Sequence, residues 1–90
     1  MPRPKPDPAL SATVRRLREQ KGLTLEALAF KTGVTVGSLA RIELAQSSPN
    51  WDSFVRIARA LDLSISGLAA AVEAEPQRRD PSFAYTTSRL

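Results

Sequence analysis

The chain has 90 residues, a formal net charge of +4, and neither cysteine nor histidine. Its length fits a single domain. Without these two residue types the chain has no disulfide, no thiolate nucleophile, no imidazole general base and none of the commonest metal ligands. We therefore expect neither an enzyme nor a metal site, and no cofactor.

The first nine residues alternate proline with charged or small residues, a composition that disfavours a helix and favours an extended arm. Arg3 and Lys5 make this arm basic. Such an arm either lies along a polyanionic partner or is a disordered leader. We interpret residues 1–9 as a Pro-rich, basic, disordered N-terminal arm.

The first helix is predicted to begin at Leu10 or Ser11 and to end at Lys21, because Gly22 is a typical residue for the end of a helix. The residues expected to face the core are Leu10, Val14 and Leu17. The residues expected to form a basic outer surface are Arg15, Arg16, Arg18 and Lys21.

Residues 24–44 predict two short helices joined by a tight turn. Thr24 caps the first helix, which ends near Thr32, and Gly33 supplies the left-handed conformation of the turn. Thr35 caps the second helix. The apolar residues at helical spacing are Leu25, Leu28, Ala29, Leu39 and Ile42, with Val34 at the corner. This arrangement is a helix-turn-helix.

Two further helices follow a polar loop that ends at Pro49, the first capped by Asn50 and the second by Ser64. The apolar face of the fourth helix comprises Trp51, Phe54, Val55, Ile57, Ala58 and Leu61. This spacing places Trp51 in the core rather than on a ligand. The apolar stripe of the fifth helix comprises Ile65, Leu68, Ala69 and Val72. Residues 74–90 are predicted to be a tail that is disordered or binds a partner.

The segments VRRLREQKGLTLEALAFKTGVTVGSLARIE and SSPNWDSFVRIARALDLSISGL resemble the lambda-repressor and Cro-like (XRE) family of DNA-binding domains. The resemblance implies an all-α, five-helix domain over residues 10–73, with the helix-turn-helix formed by helices 2 and 3. In this family an arginine at the place of Arg18 pairs with a glutamate at the place of Glu43. We therefore expect a structural ion pair that ties helix 1 to helix 3.

The resemblance also implies that the helix from Thr35 to Leu44 enters the major groove of DNA. The expected base-reading residues are Thr35, Val36, Gly37, Ser38 and Arg41. Among them only Arg41 has the forked donors for a bidentate contact to guanine. The expected phosphate-contacting residues are Thr24, Arg15, Lys21, Gln46 and Ser47. Many family members have polar residues at the places of Val36 and Gly37 and a glycine at the place of Ala45, so this chain departs from the family at all three.

The leading hypothesis for function is a sequence-specific, double-stranded DNA-binding transcriptional regulator, a repressor, that binds a pseudo-palindromic operator as a homodimer. Residues 10–46 carry six Lys or Arg residues against three Asp or Glu residues, which favours a polyanionic partner. The residues expected at the dimer interface are Ile65, Leu68, Val72, Phe83 and Tyr85.

The alternative hypothesis is a protein-interaction module or an antitoxin-like partner of a toxin or a polymerase component, with Phe30 exposed on helix 2. No small-molecule ligand is evident. The sequence has no apolar run long enough to span a membrane and no apolar core of a signal peptide. We therefore expect a cytoplasmic protein, in the prokaryotic cytosol or nucleoid, without a membrane partner.

Overall fold

The computed structural model describes residues 6–76, and over this range the chain forms five helices and no strand. The helices are α1 (Pro8–Gln20), α2 (Leu25–Thr32), α3 (Val36–Glu43), α4 (Trp51–Ala60) and α5 (Ile65–Glu73). The all-α, five-helix fold predicted from the sequence is confirmed.

The first helix begins earlier than the sequence predicted. Asp7 caps it, because an oxygen of its carboxylate accepts a hydrogen bond from the N–H of Ala9 at 2.9 Å. Pro8 then occupies the first helical turn, where a proline has no hydrogen bond to lose and its fixed φ suits a helix. Ala9, in this first turn, is buried.

The predicted caps of the four later helices are all formed. In each case the side-chain oxygen of the cap accepts a hydrogen bond from the backbone N–H three residues later, at 2.8 to 3.1 Å. The capping residues are Thr24, Thr35, Asn50 and Ser64. Each cap stabilises its helix by about 1 kcal/mol and sets where that helix begins.

A single core joins all five helices. Helix α2 packs against α3 and α4, while α1 packs against α3 and α5, and α4 packs against α5. The buried core residues are Val14, Leu28, Ala29, Leu39, Ile42, Ile57, Ala58, Leu61 and Leu68. Because α3 rests on both α1 and α2, its orientation is set by two other helices.

Trp51 does not lie in the core, contrary to the sequence prediction. Its side chain is 64% exposed and stacks on Phe54, with ring centroids 6.1 Å apart and planes 17° from parallel. Trp51 is the first residue of α4, directly after its cap. The helical spacing was correct, but the core does not reach this first residue of α4, so the apolar stripe continues onto the surface.

Two of the predicted dimer-interface residues belong to the core instead. Leu68 is completely buried and Val72 is 8% exposed, because α5 packs against both α1 and α4. Both side chains pack within the domain and leave little surface for a partner. Ile65 is 37% exposed at the start of α5. Phe83 and Tyr85 lie outside the described residues.

The chain remains packed beyond the end of α5. Glu75 is 6% exposed, and one of its carboxylate oxygens accepts hydrogen bonds from Thr13 at 3.0 Å and from Arg16 at 3.3 Å. Thr13 is itself fully buried. This carboxylate therefore fastens the segment after α5 to α1.

Candidate nucleic-acid interface

The turn between α2 and α3 is short and contains a left-handed residue. Gly33 adopts φ of 73°, in the left-handed region where a side chain is disfavoured, and its N–H donates to the carbonyl of Ala29 at 2.9 Å. Thr35 follows in extended conformation and caps α3. Helices α2 and α3 thus form a helix-turn-helix, as the sequence predicted.

A bidentate ion pair connects α3 to α1. Two nitrogens of the Arg18 guanidinium donate to the two carboxylate oxygens of Glu43 at 2.8 and 2.9 Å, and a third donates to the carbonyl of Leu23 at 2.9 Å. The side chains are only 14% and 7% exposed. The hydrogen bond to Glu43 raises the pKa of Arg18 above its ordinary value, against the smaller opposing effect of burial. This pair is the one expected from the family resemblance.

The opposite face of α3 is open to solvent. Leu39 and Ile42 point into the core, whereas Val36 is 39% exposed and Leu44, at the end of the helix, is 62% exposed. Arg41 is exposed between them. The structure therefore brings most of the predicted base-reading residues to one surface, on a helix anchored from behind.

Two predicted readers are already engaged within the helix. The hydroxyl of Thr35 accepts the N–H of Ser38 as a cap, and the hydroxyl of Ser38, which is half-buried, accepts a hydrogen bond from the guanidinium of Arg41 at 3.3 Å. Gly37 is exposed and leaves the helix backbone uncovered by a side chain of its own.

The three polar residues expected to contact phosphates lie at the ends of the motif. The hydroxyl of Thr24 accepts the N–H of Ala27, so it is occupied as a cap. The backbone N–H groups of Gln46 and Ser47 both donate to the carbonyl of Arg41, at 2.8 and 3.3 Å. Because these amides are already hydrogen-bonded, the side chains of Gln46 and Ser47 are the groups that can bind a phosphate.

The chain leaves α3 through a left-handed residue. Ala45 has φ of 58°, the conformation that a glycine at the same place would adopt without strain. Ala45 thus adopts here a conformation that is strained for any residue with a side chain.

The two basic residues expected to contact phosphates are both in exposed ion pairs. Arg15 pairs with Glu19 at 3.5 Å and, with Leu44 and Ala45, lines a groove between α1 and the end of α3. Lys21 instead pairs with Asp62, in the loop after α4, at 2.6 Å. This contact lowers the pKa of Asp62 below its ordinary value of 3.8. The structure thus brings Arg15, but not Lys21, to the end of the presented helix.

Lys31, Arg56 and Arg59 form a basic cluster that was not predicted from the sequence. These residues and Asp62 line an open cavity of about 310 Å³ between α2 and α4. A guanidinium nitrogen of Arg56 lies 3.6 Å from the position that a Cβ on Gly33 would occupy. The three-residue spacing of Arg56 and Arg59 on α4 could have predicted part of this cluster. Lys31 joins it only because α2 packs against α4.

Phe30 is the most exposed large apolar side chain of the described residues, at 89%. It shares an open groove of about 440 Å³ with Glu26 and with Val36 at the start of α3. The sequence prediction that Phe30 is exposed on α2 agrees with this placement. An apolar side chain thus stands beside the open face of the motif.

In residues 6–76 no group of three or more acidic or other potential metal ligands comes together. The same part of the chain has no helix of the length and apolar character needed to cross a bilayer.

Fold and surface together define a helix-turn-helix domain whose second helix is presented to solvent. A family model described as helix-turn-helix (HTH_3) matches residues 14–68, which is more than half of the chain. The chain belongs to this family, and its resemblance to the lambda-repressor and Cro-like (XRE) DNA-binding domains is confirmed.

A curated relative of this chain is a transcriptional regulator. The chain is 37% identical over 73 residues to the HTH-type transcriptional regulator SutR of Escherichia coli, covering 81% of this chain and 39% of SutR. The chain thus spans about two fifths of the length of SutR.

Solved structures show the same fold. The restriction-modification controller protein C.AhdI from Aeromonas hydrophila has a TM-score of 0.65 and 30% identity, over 68% of this chain and 92% of C.AhdI. The clp gene regulator ClgR from Corynebacterium glutamicum has a TM-score of 0.71 and 25% identity, over 96% of this chain and 86% of the ClgR chain.

Proposed function

We propose that the protein is a sequence-specific, double-stranded DNA-binding transcriptional regulator that acts as a repressor. The observation that carries this proposal is the open face of α3, with Arg41 exposed on a helix that the buried Arg18–Glu43 pair holds from behind. The regulators SutR and ClgR and the controller C.AhdI support the assignment. In this proposal the protein works in the prokaryotic cytosol or nucleoid.

In this proposal α3 and its flanking caps, Thr35 to Leu44, enter the major groove. Arg41 contacts guanine O6 and N7, and Val36 together with the methyl group of Thr35 contacts thymine methyl groups. The exposed backbone at Gly37 permits close approach to the base edges. Phosphates are contacted by the side chains of Gln46 and Ser47, by Arg15 once it leaves its exposed ion pair with Glu19, and by the N-terminal end of α2 at Thr24.

A domain of this size reads only a few base pairs, so we propose that two copies bind a pseudo-palindrome with half-sites about one helical turn apart. Ile65 remains available for the dimer interface, since it is exposed at the start of α5. Phe83 and Tyr85 belong to the same proposal as contributions from the tail.

The test begins with a pool of random duplexes, from which the protein selects its preferred sequence. Fluorescence anisotropy then compares the selected duplex with a shuffled duplex for wild type, Arg41→Ala and Arg59→Ala. Arg59 is the matched control, because it is an exposed arginine on α4, outside the motif. We expect Arg41→Ala to reduce the preference for the selected duplex by about fivefold to 150-fold.

We expect Arg59→Ala to leave this preference unchanged, because it removes the same charge without touching α3. Equal and weak binding of both duplexes by the wild type would refute a sequence-specific regulator. A promoter containing the selected duplex should lose activity when the protein is present, and a gain of activity would refute the repressor. Sedimentation of the complex should show two copies for each duplex.

The second candidate function is a protein-interaction module or antitoxin-like partner of a toxin or polymerase component. The exposure of Phe30, which stands in the groove beside Val36, favours it. Phe30→Lys should then abolish regulation in cells while DNA affinity in vitro is retained. If Arg41→Ala abolishes regulation and Phe30→Lys does not, the DNA-binding function is supported instead.

A further inference from the structure

The side chain of Arg41 folds back over the preceding turn of α3. Its guanidinium donates a hydrogen bond to the hydroxyl of Ser38 at 3.3 Å. Another guanidinium nitrogen lies 3.7 Å from the position that a Cβ on Gly37 would occupy. Side chains on a helix lean toward its N-terminus, so residues three and four positions earlier are those that Arg41 covers.

Ser38 is less exposed than the arginine that it contacts. Its backbone N–H is bonded to the cap Thr35 at 3.1 Å, and its side chain is half-buried, whereas Arg41 is exposed. The hydroxyl is therefore the less exposed partner of this contact. A Gly37 without a side chain leaves the guanidinium room beside the helix backbone.

We propose that Ser38 is a positioning residue for Arg41, and that Gly37 is a specificity-determining residue because it provides the space for the positioned guanidinium. This inference rests on the proposed DNA-binding function and assigns Ser38 a role other than base reading. The ligand that the positioned fork recognises is a guanine in the major groove, through N7 and O6.

The physical basis is the conformational freedom of arginine. A free arginine side chain loses much rotamer entropy when it is fixed on a base. Ser38 restricts Arg41 before DNA arrives and uses only one of the five N–H donors of the guanidinium, so the others remain for guanine. Removal of the Ser38 hydroxyl leaves the number of cations unchanged and therefore leaves the salt dependence of binding unchanged.

The experiment uses the duplex selected by the wild type, with each guanine in turn replaced by 7-deazaguanine, which lacks the N7 acceptor. The guanine preference is the ratio of the Kd for the 7-deazaguanine duplex to the Kd for the guanine duplex. We expect a single guanine position at which this ratio is high for the wild type and falls close to 1, meaning no preference, for Arg41→Ala. At that position Ser38→Ala should lower the ratio by about twofold to tenfold.

Ser38→Thr retains the hydroxyl and should retain most of the guanine preference. The slope of log Kd against log salt should be the same for wild type, Ser38→Ala and Ser38→Thr. Circular dichroism melting checks that each variant is folded. Full guanine preference in folded Ser38→Ala, at the position where Arg41→Ala has lost it, would overturn the positioning role.

Gly37 is tested in the same assay. Gly37→Ala should retain the preference, because a Cβ at 3.7 Å from the guanidinium is in ordinary van der Waals contact. Gly37→Leu should lower it, since a longer side chain competes for the same space. Undiminished preference in Gly37→Leu would refute the role of Gly37. A wild type that prefers no sequence would instead refute the proposed function itself, which is a distinct outcome.

Discussion

The buried pair of Arg18 and Glu43 offers a sharp test of how α3 is held. Arg18→Met removes the charge but keeps a long apolar side chain, so the Glu43 carboxylate loses both of its guanidinium contacts, at 2.8 and 2.9 Å. Glu43 is 7% exposed, so little water can replace them. An unpaired charge in such a place is strongly destabilising.

The size of the effect follows from this burial. Breaking a fully buried pair costs about 3 to 5 kcal/mol, and the 14% exposure of Arg18 places this pair at the lower end, about 3 kcal/mol. For a domain of this size, 1 kcal/mol shifts Tm by about 4 to 8 °C. We therefore expect Arg18→Met to lower Tm by about 12 to 24 °C.

The assay is thermal and urea unfolding followed by circular dichroism. Arg15→Met is the matched control, because Arg15 lies on the same helix and pairs with Glu19, but these side chains are 60% and 56% exposed. Its expected cost is about 0.5 kcal/mol or less. The double variant Arg18→Met with Glu43→Leu should be more stable than Arg18→Met alone, because it leaves no buried charge.

Two results would refute this reasoning. Equal losses of unfolding free energy in Arg18→Met and Arg15→Met would show that burial does not govern the strength of the pair. The second concerns the double variant. If its loss of unfolding free energy equals the sum of the losses in Arg18→Met and in Glu43→Leu measured separately, the two side chains do not depend on each other.

Three further predictions concern the edges of the domain. Glu75→Ala should lower the unfolding free energy by about 1 to 3 kcal/mol, because it strips buried Thr13 of its partner, and an unchanged urea midpoint would contradict this. Ala45→Gly should raise the unfolding free energy by about 0.5 to 1 kcal/mol, since glycine relieves the strain at φ of 58°, and a decrease would contradict the strain. In an NMR titration the pKa of Asp62 should lie below 3.8 in the wild type and rise toward 3.8 in Lys21→Gln. The stabilisation from this contact is present above the ordinary pKa and is lost as pH falls through the lowered folded pKa, so identical titration curves for Asp62 in the two proteins would refute the contact.

Prediction from sequence worked best where a structural feature depends on residues within one helical turn. The caps at Thr24, Thr35, Asn50 and Ser64 require only a side-chain oxygen and the N–H three residues later. Gly33 at the corner likewise follows from backbone sterics at one position. The early start of α1 also depends on a local bond, from Asp7 to the N–H two residues later, but the run of prolines obscured this cap.

The candidate site was only partly predictable for a different reason. The periodicity of α3 separates its inner and outer faces, so the exposed set around Arg41 follows from the sequence. The Arg18–Glu43 pair joins residues far apart in the chain, and it was expected from the family resemblance rather than from spacing. The contact of Ser38 with Arg41 requires a particular rotamer, which no sequence pattern specifies.

The sequence by itself determined the number and order of the helices and the caps of the last four, because these depend on local hydrogen bonding and on helical periodicity. Only the tertiary structure decided how far each apolar stripe is covered by another helix. It exposed Trp51, buried Val72 and placed Glu75 against Thr13. The physical reason is that burial depends on which elements pack together across the whole chain, whereas a helix depends on its nearest neighbours.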